Sequence, residues 1–126
     1  MTQSARIQKI PGPDHPISTT HGSRRVRVTF RGETVADSVE VVTLQEAGYP
    51  PVHYFPRKDV RMDLLRRTDH GSWCPYKGQA SYFSVIVAGA TADNAVWSYE
   101  TPFDPVADIH ERLAFYPSRV DSIEVL

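Results

Sequence analysis

The sequence is poor in cysteine, since Cys74 is the only one among 126 residues. A single cysteine cannot form a disulfide within the chain, and it cannot supply a zinc site made of several thiolates. His53, His70 and His110 do not compensate, because they lack the H-x-H or H-E-x-x-H spacing of metal ligands. We therefore expect a fold that is stabilised by packing and that has no metal site.

Long hydrophobic runs are also missing. The longest apolar stretch, residues 84–90, is far shorter than the roughly 20 residues that span a bilayer. The first six residues contain no apolar segment typical of a secretory signal. These absences predict a cytoplasmic protein that has no membrane partner.

An excess of charge of one sign is missing as well. Lys plus Arg number 14 and Asp plus Glu number 15, so the formal net charge is −1, which excludes polyanion binding through bulk charge. The charges are nevertheless unevenly distributed along the chain. The charged residues within 1–31 are mostly basic, and those within 100–126 are mostly acidic. We interpret this as compensation between neighbouring ends of the chain, in preference to a basic arm for nucleic acid.

What the sequence does contain is a β pattern. Residues 1–22 are rich in proline and glycine and show no sustained period, which predicts an extended lead-in before a single domain at 23–126. Alternating apolar residues predict a hairpin over 25–38 that turns at Gly32. Further strands are predicted at 39–44, 52–55, 80–90, 94–100 and 120–125.

Other stretches of the chain are less regular. Residues 57–71 fit either a short helical turn or a strand, and 68–72 have the composition of a turn, as have 91–94. Residues 104–110 favour a short helix. Short strands together with ten prolines and seven glycines favour one compact, mainly β domain of antiparallel strands with one short helix near its C-terminus.

The densest chemistry lies in residues 73–82. Cys74 and Lys77 are three residues apart, and a turn between them would let the ammonium stabilise a nucleophilic thiolate. The alternatives are a cysteine that acts as a small buried hydrophobe and a solvated lysine. The segment also contains three hydroxyl-bearing side chains: Tyr76, Ser81 and Tyr82.

Two further segments carry candidate site residues. Residues 54–63 combine Arg57, which could bind an anion, with Asp59, which could act as a base, although an ion-pair network within the loop is the favoured alternative. Trp97 and Tyr99 point to one face of their strand and could form a ligand wall or simply core. Glu46 is a candidate carboxylate without a local partner.

These segments, in this order, resemble one family: the domain of unknown function 427 family, also carried under a nucleotidyltransferase-like label. The resemblance covers about residues 25–125. The pieces that carry it are 36–38, Glu46, 54–56 with Asp59, 74–78 with 80–82, 95–99 with Pro102, and 114–116.

The resemblance implies a small, mostly β domain, which is β-tent-like or a small barrel or sandwich. It transfers no zinc site, because the chain has one cysteine, and no catalytic mechanism. The Gly-Ser and paired-Asp pattern of polymerase-type nucleotidyltransferases is absent from the sequence. The positions that match the family pattern point to a pocket, and they are Glu46, Tyr54, Asp59, Cys74, Lys77, Ser81, Trp97 and Tyr99.

The favoured function is a small-molecule or anion pocket around residues 74–78, with no cofactor identified. Its expected ligand-binding residues are Tyr54, Arg57, Asp59, Tyr76, Lys77, Ser81, Tyr82, Trp97 and Tyr99. If the domain is an enzyme, Cys74 or Lys77 would be the nucleophile and Glu46 or Asp59 the base. The alternatives are a protein- or nucleic-acid-interaction module that uses the arginine-rich strand and loop, and a purely structural domain. A monomer and a homodimer are both compatible with the sequence.

Overall fold

The structure is a computed structural model that describes residues 7–22 and 24–126. Residues 1–6 and Ser23, where we expected the domain to begin, lie outside the described residues. Within them the chain forms ten strands: β1 (Ile17–His21), β2 (Val26–Phe30), β3 (Glu33–Ser38), β4 (Val42–Glu46), β5 (Val52–Tyr54), β6 (Leu65–Cys74), β7 (Gly78–Val87), β8 (Ala90–Tyr99), β9 (Ala114–Phe115) and β10 (Ser122–Val125).

The strands pair into three antiparallel sheets, so the predicted mainly β fold is confirmed. Their strand orders are β1-β4-β5, β10-β2-β3 and β6-β7-β8-β9, and each sheet stays open. Strand β1 belongs to the predicted lead-in and pairs with β4 along its whole length, from Ile17 opposite Glu46 to His21 opposite Val42. The segment before it also lies against the domain, because Lys9 N donates to Pro75 O at 2.8 Å.

Two hairpins use the same kind of tight turn. Arg31 and Gly32 connect β2 to β3 with φ of 51° and 81°, which confirms the predicted hairpin. Ala88 and Gly89 connect β7 to β8 with φ of 49° and 81°. Two successive positive φ values match the twist of the flanking strands, and glycine adopts them without steric cost. The turn predicted at 91–94 is therefore wrong, because these residues already belong to β8.

The ambiguous stretch at 57–71 contains both kinds of structure. Short 3₁₀ helices occupy Arg57–Asp59 and Met62–Leu64, and β6 follows from Leu65. The turn predicted at 68–72 is wrong, since these residues lie inside β6, where the pairing register shifts between Arg67 and Gly71. Strand β6 is an edge strand and is mostly exposed, so turn-forming polar residues fit there with a bulge.

The short helix expected near the C-terminus is a 3₁₀ helix, Asp104–Ile109, that departs from helical geometry at Val106. Two of its apolar residues, Val106 and Ile109, are fully buried. A further 3₁₀ turn covers Pro117–Arg119. None of the helices among the described residues could span a bilayer, since the longest, Asp104–Ile109, has six residues.

The core consists of two groups of buried side chains. The first is centred on Phe55, Phe83, Val96 and Phe115. The second contains an unusual number of tyrosines, because Tyr54, Tyr82 and Tyr99 pack there with Leu44 and Ile109. Tyrosines in a core need partners for their hydroxyl groups, and this second group borders the cavity described next.

Candidate functional site

A cavity of about 820 Å³ opens between strands β4 and β5 on one side and strands β7, β8 and β9 on the other. The Tyr-Pro-Pro loop at 49–51 and the chain around 116–123 complete its rim. Its lining is mostly aromatic and aliphatic. The polar and aromatic side chains that line it are Glu46, Tyr49, His53, Tyr54, Phe55, Lys77, Tyr82, Trp97, Tyr99, Phe115, Tyr116, Asp121 and Ser122.

One end of the cavity is formed by a buried ion pair. Lys77 Nζ donates to Glu46 Oε1 at 2.5 Å, and His15 Nε2 donates to the other carboxylate oxygen at 2.7 Å. The Lys77 and Glu46 side chains keep only 10% and 17% of their exposure. Burial disfavours the ionised form of Glu46, but the hydrogen bonds from Lys77 and His15 outweigh it, so the pKa of Glu46 is lowered.

The sheet topology explains how these three residues meet. Glu46 is the last residue of β4 and pairs with Ile17, the first residue of β1, so His15 just before β1 lies beside it. Lys77 is in the β6–β7 turn, where its backbone N–H donates to Cys74 O at 3.3 Å. The two nitrogen donors fix the carboxylate in one orientation, and this polar group can in turn orient a ligand at that end of the cavity.

The wall next to the ion pair consists of Tyr54, Trp97 and Tyr99. Trp97 Nε1 donates to Tyr54 Oη at 3.2 Å, and the two rings meet edge to face. Lys77 Nζ lies 5.9 Å from the centroid of the Tyr99 ring. Burial raises the pKa of both tyrosines, so they are neutral groups at physiological pH.

A second wall is a chain of hydroxyl groups. Tyr82 Oη is hydrogen-bonded to Ser72 Oγ at 2.8 Å and lies 3.3 Å from Tyr116 Oη. The Tyr116 ring packs against Trp97 at 4.5 Å between centroids, and the Arg119 guanidinium lies 4.5 Å from its centroid. Burial is the largest contribution that raises the pKa of Tyr116 to about 12. The hydroxyl groups of this wall are therefore polar but uncharged.

A family model described as a domain of unknown function, DUF427, matches residues 18–126, a range that includes β2 to β10 and most of β1. The chain belongs to this family. This confirms the resemblance drawn from the sequence segments. No curated protein matches the chain. Among residues 7–22 and 24–126 of this DUF427 chain, no three His, Cys, Asp or Glu side chains are grouped to hold a metal ion.

Five of the predicted ligand-binding residues line the DUF427 cavity: Tyr54, Lys77, Tyr82, Trp97 and Tyr99. Among the candidate catalytic residues, Glu46 and Lys77 line it, and they contact each other. Cys74 is partly exposed and packs at the edge of the second core group, outside the lining. Tyr76 also lies outside, where its ring stacks on His15 at 4.1 Å between centroids.

Arg57 and Ser81 lie on the opposite face of the β7–β8 sheet. Ser81 Oγ donates to Glu100 Oε1 at 2.9 Å, and Arg57 Nη2 donates to Glu100 Oε2 at 3.2 Å. Arg67 makes the closest contacts with the same carboxylate, at 2.8 and 2.9 Å. Successive strand residues point to opposite faces, which is why Ser81 is separated from its neighbour Tyr82.

The Glu100 cluster predicts a specific response to acid. Hydrogen bonds from Arg67 above all lower the pKa of Glu100 to about 2, from 4.5. A lowered carboxylate pKa contributes stability above pH 4.5 that disappears as the pH falls through 2. In Glu100→Gln we expect lower stability at pH 7 and a shallower loss of stability between pH 5 and 2, measured by urea unfolding. Parallel pH curves for the two proteins would contradict this.

Asp59 lies farther from the cavity. Its carboxylate accepts a hydrogen bond from Ser38 Oγ at 2.6 Å and forms an ion pair with Lys58. Asp59 lies beside a shallow groove that runs along β3. It reaches β3 because Ala36 and Val60 form a β-bridge. The structure therefore groups Asp59 with a surface network, which corresponds to the favoured sequence interpretation of residues 54–63.

Several lining residues were not among the predicted site residues. The most important residue beside the cavity is His15, which lies in the lead-in and reaches Glu46 only because β1 pairs with β4. Tyr116 and the loop at 49–51 also contribute. Local pattern gives no signal for His15, but Tyr116 lies within the segment 114–116 that carried the family resemblance.

Proposed function

We propose that this domain binds a small organic molecule in the cavity between β4, β5 and the β7–β9 strands. The observation that supports this best is the cavity itself, which combines a volume of about 820 Å³ with a mostly aromatic lining and one polar end. Ligand sites typically measure about 300–1,000 Å³ and combine apolar walls with a few convergent polar groups. The Glu46–Lys77 pair supplies the convergent groups.

The burial of that pair is a second argument. Taking two charges out of water costs several kcal/mol for each ion, and an apolar pair of similar volume would stabilise the fold as well or better. An ion pair with only 10% and 17% side-chain exposure at the end of a cavity is therefore better explained by ligand recognition. In this proposal Tyr54, Trp97 and Tyr99 contact the ligand, and Lys77 and Glu46 orient it.

The alternative, an interaction surface made of arginines, is less well supported. Arg25 and Arg27 both pair with Asp37, and Arg61 pairs with Asp63. The arginines of the Glu100 cluster are likewise bonded to a carboxylate. Because each of these guanidinium groups is already bonded to a carboxylate within the chain, the cavity is the preferred site.

The two tryptophans of the chain allow a direct test. Trp97 lines the cavity, whereas Trp73 packs edge to face on Phe103 and does not line it. We expect a panel of toluene, phenol, benzamide and adenosine to contain a ligand that changes the tryptophan fluorescence of Trp73→Phe in a saturable way. The same probe should leave the fluorescence of Trp97→Phe almost unchanged.

Thermal unfolding gives an independent measurement on the same panel. A probe at about 100 times its Kd stabilises the folded state by about 2.7 kcal/mol, which corresponds to a rise in Tm of roughly 10 °C for a domain of this size. If neither these uncharged probes nor charged analogues of them raise Tm or change the Trp97 emission, the pocket proposal is wrong. A response that is equal in both tryptophan variants would place binding elsewhere.

A further inference from the structure

We propose that the ligand of this cavity carries a positively charged, alkylated nitrogen, and this inference rests on the proposed function. It follows from the charge of the lining and from the arrangement of its aromatic rings. The recognition chemistry would be that of a substituted ammonium group held against ring faces.

The charged lining residues leave a negative balance. Glu46 and Asp121 carry carboxylates, and the Lys77 ammonium neutralises only the first, to which it is bonded. Asp121 Oδ2 accepts the backbone N–H of Gly32 at 3.0 Å. Backbone hydrogen bonds from Gly32 and Arg31, and to a smaller extent the charge of the Arg31 side chain outside the lining, lower its pKa, so it is ionised at neutral pH. Burial lowers the pKa of His53, so that ring adds no positive charge.

The rings of the lining favour a cation as well. Eight aromatic side chains border the cavity: Tyr49, Tyr54, Phe55, Tyr82, Trp97, Tyr99, Phe115 and Tyr116. The faces of such rings carry partial negative charge and attract ammonium groups within about 6 Å of the centroid. The domain already uses two of these rings in this way, through Lys77 at Tyr99 and Arg119 at Tyr116.

An anion would meet two carboxylates in the described lining, Glu46 and Asp121. The Lys77 ammonium is bonded to Glu46, and the Trp97 N–H is bonded to Tyr54. An anionic ligand at Lys77 would come close to the Glu46 carboxylate that is bonded to it, and Asp121 is a second carboxylate in the same lining. A cation beside Asp121 is attracted where an anion is repelled.

The test uses two molecules of the same shape. Choline has a quaternary nitrogen where 3,3-dimethylbutan-1-ol has a quaternary carbon. Comparing their affinities therefore separates the effect of charge from the effect of shape. Ring faces shift the proton NMR signals of methyl groups held over them, and the full chain can therefore be titrated with each compound. We expect choline to bind about tenfold more tightly.

A matched pair of variants locates the charge that is responsible. Asp121→Asn keeps an oxygen that can accept the Gly32 N–H but removes the negative charge, and it should reduce the preference for choline about threefold or more. Asp63→Asn is the control, because Asp63 is exposed and paired with Arg61 outside the cavity. It should leave the preference unchanged.

Several outcomes would overturn the inference, and they differ in whether the proposed function survives. Equal affinity for the two compounds, or tighter binding of benzoate than of phenyltrimethylammonium, would show a site that does not select cations, and the proposed function would stand. Binding of toluene or phenol with no response to either ammonium probe would have the same meaning. A chain that binds no probe of either panel would refute the proposed function as well.

Discussion

Lys77→Met is expected to lower the free energy of unfolding at pH 7 by about 2–4 kcal/mol. The methionine fills the space of the lysine stem, so the loss comes from the carboxylate of Glu46, which remains buried without its closest partner. His15 still donates to that carboxylate, which keeps the loss below that of a fully orphaned charge. Urea unfolding with linear extrapolation measures the change.

The double variant separates this cause from lost packing. Because Glu46→Gln removes the charge that Lys77→Met leaves unpaired, the combined variant should be more stable than Lys77→Met alone. The coupling energy of the cycle should be about 1–3 kcal/mol.

Lys58→Met is the matched control, because Lys58 pairs with Glu40 on the surface and both side chains are about 60% exposed. An exposed pair contributes little, because water screens the attraction between its charges. Equal losses in Lys77→Met and Lys58→Met would mean that the Glu46–Lys77 pair is effectively solvated. This would also weaken the argument that its burial serves a ligand.

The sequence alone could predict those parts of this fold that depend on local periodicity. The alternation of Val26, Val28 and Phe30 and the turn at Gly32 predicted the first hairpin correctly. The turn between β7 and β8 was misplaced because the polar stretch 91–94 has a turn composition, whereas the turn depends on the positive φ of Ala88 and Gly89. A polar composition indicates exposure to solvent. Most residues at the start of β8 are at least partly exposed, so a polar composition fits this strand as well as it fits a loop.

The candidate site depends on contacts between residues that are far apart in the chain, and the local sequence pattern cannot predict such contacts. Glu46 and Lys77 are 31 residues apart, and His15 is 31 residues from Glu46 in the other direction. Their meeting requires the β1–β4 pairing and the β6–β7 turn together. The separation of Ser81 from Tyr82, in contrast, follows from strand alternation, so a stricter use of the period of two would have assigned Ser81 to the opposite face.

Phe55→Ala is expected to cause the largest loss of stability of any substitution considered, about 3–5 kcal/mol. Phe55 is 1% exposed and packs edge to face on Phe115 at 5.7 Å between centroids. Its backbone also bridges to Leu113, with hydrogen bonds of 2.8 and 2.9 Å. These backbone bonds hold the chain in place, so the core cannot fully collapse around the missing ring.

The same substitution should affect the cavity, because Phe55 and Phe115 both line it. A larger, less defined cavity is expected to weaken the binding of any probe that changes Trp97 emission, in addition to the stability loss measured by urea unfolding. Val39→Ala, at a side chain that is 52% exposed, should change stability by no more than about 0.5 kcal/mol. A loss below 1.5 kcal/mol in Phe55→Ala, with probe binding retained, would show that the core relaxes into the space and that Phe55 does not shape the cavity.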